Sequence, residues 1–130
     1  MAEVDITTGE ETIPYFSYGS NMFSARLLNR CPSARFQGVG ELPEHKVVFT
    51  KVGQDGSGKA TVVKTGEGSA PGVIFLLTTS DMALLDEIEG SGYSRHTVSV
   101  SFPSAPAGHI QAKTYFGIRT NPTIKPFDWY

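Results

Sequence analysis

The stretch Val73-Ile74-Phe75-Leu76-Leu77-Thr78-Thr79-Ser80-Asp81, continuing through Met82 to Gly90, decides the fold. Five consecutive apolar residues, two of them β-branched, suit a strand buried on both faces. Ser80 then stands where a helix over residues 81–89 would be capped, and Gly90 supplies the C-terminal stop. Downstream, Val98, Val100 and Phe102 alternate with polar residues, as do Ile110, Ala112, Thr114 and Phe116 after a Pro/Gly turn, so two strands follow with one apolar face each. Upstream, β-branched residues recur over 47–50 and 60–63 on either side of the loop-like segment 53–58. Residues 13–18 form an aromatic-rich strand stopped by Gly19. Asn21 or Ser24 can cap a short helix through Phe23, Leu27 and Leu28, ended by Cys31-Pro32 because the residue before proline avoids helical geometry. About six strands and two short helices predict an α+β fold built on a small, closed or nearly closed barrel, mostly antiparallel.

Composition agrees and removes several classes of function. Fourteen glycines and eight prolines among 130 residues exceed the roughly 12% of an average chain, which favours short elements and tight turns over a helical bundle. Residues 1–12 carry four acids and three threonines but little apolar surface, so they are expected to be a disordered tail, leaving 13–130 as a single domain. A net charge of -2 lacks the dense basic field that nucleic acid or an acidic membrane surface requires. No apolar run approaches the roughly 18 residues of a membrane span. One cysteine, Cys31, cannot close an intramolecular disulfide, and the N-terminus has neither a basic n-region nor an apolar h-region. A reducing cytoplasm is the expected setting.

Two places could carry chemistry. Tyr18-Gly19-Ser20-Asn21-Met22 lies where a strand becomes a helix. Gly19 would let the backbone approach a ligand, and free N–H groups at the helix start would receive an oxyanion or carboxylate. On the alternative reading Gly19 merely turns the chain and Asn21 caps the helix. Ser20 is not expected to be a nucleophile, because Met22 stands where the G-x-S-x-G elbow has glycine. The second place is Glu89. At 100° per residue it falls between Met82 and Leu85 on the apolar arc of its helix, whereas Asp86 and Glu87 fall outside. Burial and the negative end of the helix dipole would both raise the pKa of such a carboxyl, as a general base requires. On the alternative reading Glu89 snorkels to solvent. His45, His96 and His109 have no metal-ligand spacing, and the segments 56–58 and 66–68 lack the context of phosphate loops, so neither a metal nor a nucleotide cofactor is expected.

Taken together, Tyr15-Phe16-Ser17-Tyr18-Gly19-Ser20-Asn21-Met22, then Leu85-Asp86-Glu87-Ile88-Glu89-Gly90 with Tyr93 shortly after, and finally Pro126-x-x-x-Tyr130 resemble the γ-glutamylcyclotransferase-like (AIG2-like) family over residues 14–130. The resemblance implies a small mixed β-barrel with flanking helices and a pocket in which the segment Tyr18 to Met22 binds a γ-glutamyl group through its backbone. It also implies Glu89 as the acid/base residue, and Tyr93 and Tyr130 as substrate contacts. The implied reaction closes 5-oxoproline by attack of the α-amine on its own γ-carbonyl, with no cofactor. Glutathione and γ-glutamyl-amino acids are among the substrates such chemistry would take. In the family a glycine-rich helix follows the segment matching Trp129-Tyr130, where this sequence stops. Two other functions remain open at this stage: a barrel that binds γ-glutamyl compounds or a protein without turnover, and a deacylase that trims a γ-glutamyl group from an amine or antibiotic intermediate.

Overall fold

A computed structural model describes residues 4–5, 9–18, 24–52 and 58–118. Its elements are β1 (Thr12–Ser17), α1 (Ser24–Arg30), β2 (Arg35–Val52), β3 (Gly58–Thr78), α2 (Thr79–Glu89), a 3-10 turn (Gly90–Gly92), β4 (Tyr93–Ser101) and β5 (His109–Gly117). The five strands close into a barrel in the order β1-β3-β2-β4-β5. All neighbouring pairs are antiparallel except β1 and β5, which meet in parallel at Tyr15 and Lys113 and seal the barrel.

There are therefore five strands rather than about six. The runs 60–63 and 73–77 belong to one 21-residue strand, β3, and its partner β2 begins twelve residues before Val47, at Arg35. The sequence between the two runs looks like a turn because it contains Gly66 and Gly68, both at positive φ. Here those glycines bend a continuous strand opposite a register shift at Pro43/His45, where Glu44 also takes a positive φ. A long bent hairpin replaces two short strands.

Side chains separate cleanly by strand face. Phe16, Leu42, Val62, Ala70, Ile74, Val100, Phe102 and Ala112 come from every strand or its end and fill the barrel interior. Tyr15, Val73, Phe75, Leu77 and Tyr115 point outward, where Leu27 of α1, Cys31, and Met82 and Leu85 of α2 cover them. This is why residues 73–77 are buried on both faces. The alternating residues of β4 and β5 turn the faces read from the sequence toward the interior. Where β1 and β3 cross there is no spare room: a Cβ added to Gly72 would lie 2.5 Å from both Phe16 Cζ and the Ser17 carbonyl oxygen.

Helix α2 begins two residues earlier than expected. Thr78, still extended, is the cap, and its hydroxyl accepts from Asp81 N–H at 3.2 Å. The segment expected to be a disordered tail is held at its described residues. Thr12 opens β1, Val4 bridges to Glu11, and buried Asp5 pairs with Arg35 at 3.5 Å. The Glu10 carboxylate accepts from Ser80 N–H at 3.2 Å and from the Ser80 hydroxyl at 3.0 Å, so it serves the exposed donors of the first turn of α2. Polar groups anchor this segment, which a reading based on apolar content does not detect. Among the described residues no helix is long and apolar enough to cross a membrane.

Gly72→Ala is expected to destabilise the protein by about 2 kcal/mol or more, the upper part of the overpacking range, because the Ser17 carbonyl cannot rotate away. Denaturant unfolding measures it, and a change below about 0.5 kcal/mol would contradict the packing described.

Candidate active site

The level at which α2 ends is set by where it starts. Thr79 N–H donates to the Glu11 carbonyl at 3.2 Å, beside the first residue of β1. Eleven helical residues at about 1.5 Å each then run about as far as six strand residues at about 3.3 Å each. Glu89, last in the helix, comes level with Ser17 and Tyr18 at the end of β1. Gly90 ends the helix at φ 66°, and the chain turns into Tyr93 at the start of β4, which pairs with Gly117 at the end of β5. Glu89 shares the stripe of Met82 and Leu85 and is half-buried. That stripe is narrower than the sequence arc, since Leu84 and Ile88 are 40% and 42% exposed.

The Tyr18 phenol donates to the Tyr115 carbonyl, and the Thr61 hydroxyl hydrogen-bonds to it. Burial above all holds the phenol far above the usual tyrosine range; Tyr93, Tyr15 and the Glu89 charge add to this, and the Thr61 contact opposes it. Tyr18 is thus a neutral donor across the working pH range. The Glu89 charge also reaches Cys31, whose thiol is pushed up to about 11 by burial first and by Asp81 and Glu89 after it. Tyr93 donates its hydroxyl to the Ala60 carbonyl at 2.7 Å, and the Lys51 ammonium lies 5.0 Å from its ring centroid. Glu89, Tyr18 and Tyr93, which the sequence singled out, therefore stand at one end of the barrel. Gly19, Ser20, Asn21, Met22 and Tyr130 lie outside the described residues.

Three further residues at this end were not legible in the sequence. Asp86, which the helical wheel set aside, accepts from the Tyr115 hydroxyl at 2.6 Å and pairs with Arg95 at 3.3 Å. Tyr115 packs edge-on against Tyr15 and, through its carbonyl, also holds Tyr18. One residue of β5 thereby ties the end of β1 to the last turns of α2. Thr61 is buried, accepts from Gly117 N–H at 2.7 Å, and links β3 to the same corner. A cleft of about 380 Å³ lies at the opposite end of α2, lined by Asp5, Glu10, Ser33, Arg35 and Asp81 among others. Its carboxylates are already engaged, Asp5 by Arg35, Glu10 by the helix start and Asp81 by Ser33 N–H at 2.8 Å.

Tyr115→Phe should release Asp86 and with it the last turns of α2, while retaining the buried ring. The expected outcome is a loss of about 1–2 kcal/mol in stability. Asp86→Asn, which keeps an acceptor for the phenol, should cost less. Equal stability of Tyr115→Phe and the unaltered protein would show that the clamp carries no energy.

The comparisons agree with this architecture. Residues 15–130 match the model of the family described as gamma-glutamyl cyclotransferase, AIG2-like. The human γ-glutamylcyclotransferase is 36% identical over 86 residues, 62% of this chain and 46% of that protein, and the mouse protein is 35% identical over 85 residues. The chain thus spans about half the length of the curated relatives it matches. Among solved structures, a γ-glutamyl cyclotransferase superposes with a TM-score of 0.75 at 30% identity, covering 85% of this chain and 69% of that one. The Bacillus subtilis protein YkqA superposes equally well at 25% identity, covering 96% of this chain and 47% of that one. The chain belongs to the γ-glutamyl cyclotransferase, AIG2-like family.

Proposed function

We propose that this protein is a γ-glutamylcyclotransferase-type enzyme, cyclising a γ-glutamyl amide to 5-oxoproline and releasing an amine or amino acid. The observation that carries the reading is Glu89: a half-buried carboxylate at the helix end, level with the end of β1, its charge felt by Tyr18. Likeness to relatives named γ-glutamylcyclotransferase supports it.

The chemistry follows from what Glu89 can do. The substrate's α-ammonium gives a proton to Glu89 and becomes a nucleophilic amine. Its nitrogen bonds to the γ-carbonyl carbon, the carbonyl oxygen becomes an oxyanion, and the nitrogen carries excess positive charge. Glu89 passes its first proton to the departing nitrogen and removes the second from the ring nitrogen. The old C–N bond then breaks and the carbonyl re-forms, leaving a neutral lactam N–H; the second proton brings the expelled amine to its ammonium form. Two protons leave one nitrogen and two arrive at the other, so no cofactor is consumed. Backbone N–H groups of residues 19–21 are the proposed donors to the oxyanion or the substrate carboxylate. Tyr18, kept a neutral phenol by burial and held in place by the Tyr115 carbonyl, walls the site, together with Tyr93. Nucleophile and electrophile share one molecule, so orienting the substrate supplies several kcal/mol of the barrier reduction. Tyr130 is the remaining proposed substrate contact. γ-Glutamyl peptides of the glutathione type and a reducing cytoplasm complete the proposal, in keeping with a buried cysteine whose thiol stays protonated.

Glu89→Gln should keep the fold and lower the rate of 5-oxoproline release from γ-glutamyl-alanine by about two to four orders of magnitude. Glu87→Gln, on the exposed face of the same helix, should stay within about twofold. Undiminished turnover in Glu89→Gln would remove Glu89 from the chemistry.

A further inference from the structure

Ser17 ends β1 with a hydroxyl that the proposed chemistry does not use. The residue is fully buried and its Oγ has no hydrogen-bond partner. Such a group lowers stability, because folding strips its water and returns nothing. Alanine would fill the same place in the strand without that cost, so packing does not call for the hydroxyl. Alternation along β1 puts Ser17 on the face of Ile13 and Tyr15, which point out of the barrel into the layer where Met82 and Leu85 of α2 pack. Val73, its partner across the β1–β3 ladder, belongs to the same layer. Glu89 follows Leu85 by one turn on the stripe of α2, and Ser17 follows Tyr15 by one step on this face of β1. Hydroxyl and carboxylate thus end one layer at one level. The Glu89 charge is felt at Tyr18, the residue after Ser17, and at Cys31, a member of that layer.

The neighbouring hydroxyls have their bonds already. Tyr18 donates to the Tyr115 carbonyl, Tyr93 to the Ala60 carbonyl and Tyr115 to Asp86, while Thr61 is engaged by Gly117 N–H and Tyr18. We infer that Ser17 is a positioning residue for Glu89: its hydroxyl, unpaired in the free protein, donates to the carboxylate when the substrate seats and drives water from the site. The inference rests on the cyclotransferase reading and deepens it. A carboxylate that takes a proton from the substrate's ammonium presents one oxygen to it and needs a donor for the other once water has left. A hydroxyl proton on that second oxygen fixes its orientation and favours the charged form until the ammonium arrives. The stability lost to the unpaired hydroxyl is then a cost of function, met only in the loaded site.

Ser17→Ala tests this with two readouts that a structural role would not move in this way. Its denaturant midpoint should equal or exceed that of the unaltered protein, because an unpaired buried hydroxyl has been removed. Its kcat for 5-oxoproline release from γ-glutamyl-alanine should fall by about tenfold, the low end for a hydrogen bond to a charged group, with KM nearly unchanged. Ser17→Thr, which keeps the hydroxyl, should recover most of that rate in its folded fraction. An undiminished kcat in Ser17→Ala overturns the inference, as does a loss confined to KM. So does a lowered midpoint in Ser17→Ala, which would show that the hydroxyl already has a partner, such as a trapped water, in the free protein. A folded Ser17→Thr no faster than Ser17→Ala overturns it as well. Should Ser17→Thr fail to fold, Ser17→Ala decides. No release of 5-oxoproline by the unaltered protein would instead overturn the cyclotransferase reading itself.

Discussion

The anchoring of α2 against the start of β1 is the constraint on which the candidate site depends. A single backbone bond from Thr79 to Glu11, the Thr78 cap and the Glu10 carboxylate fix where the helix begins. Helix rise and strand rise do the rest, since eleven residues of one cover about the length of six of the other. A helix displaced by one residue would rotate by about 100° and move Glu89 off the stripe of Met82 and Leu85. The N-terminal segment thus sets the position of Glu89, although it lies at the far end of the helix from it.

The second constraint acts at the other end. Tyr115 holds Tyr18 through its carbonyl and Asp86 through its hydroxyl, so the strand that closes the barrel also sets the spacing between β1 and the last turns of α2. Buried tyrosines at such a corner remain neutral, which makes them walls and donors rather than competing bases. Glu89 stands at the same corner, where its charge reaches Tyr18.

Much of this was legible in the sequence, for reasons that can be traced to particular residues. The alternation of Val98, Val100 and Phe102 and of Ile110, Ala112 and Phe116 reports interior-facing positions because period 2 has a single solution in a barrel strand. Glu89 was singled out because one helical stripe carries Met82, Leu85 and a carboxylate. The strand count was missed because Gly66 and Gly68 bend β3 with the same residues that would end it. The anchoring of residues 4–5 and 9–12 was missed because it runs through Asp5, Glu10 and backbone groups rather than apolar area. Asp86, Tyr115 and Thr61 could not be found at all from local pattern. Each acts through a partner between about ten and a hundred positions away, and only barrel closure brings the pairs together.

The central claim is that Glu89 stands where the γ-glutamyl nitrogen reacts. A crystal structure of the protein with bound 5-oxoproline tests it most directly, because the lactam nitrogen of the product is the attacking nitrogen of the substrate. The account predicts that nitrogen within about 3 Å of a Glu89 carboxylate oxygen, with the ring against Tyr18 and Tyr93. Product bound in the cleft at the start of α2, or bound at this end with its nitrogen turned away from Glu89, would contradict it.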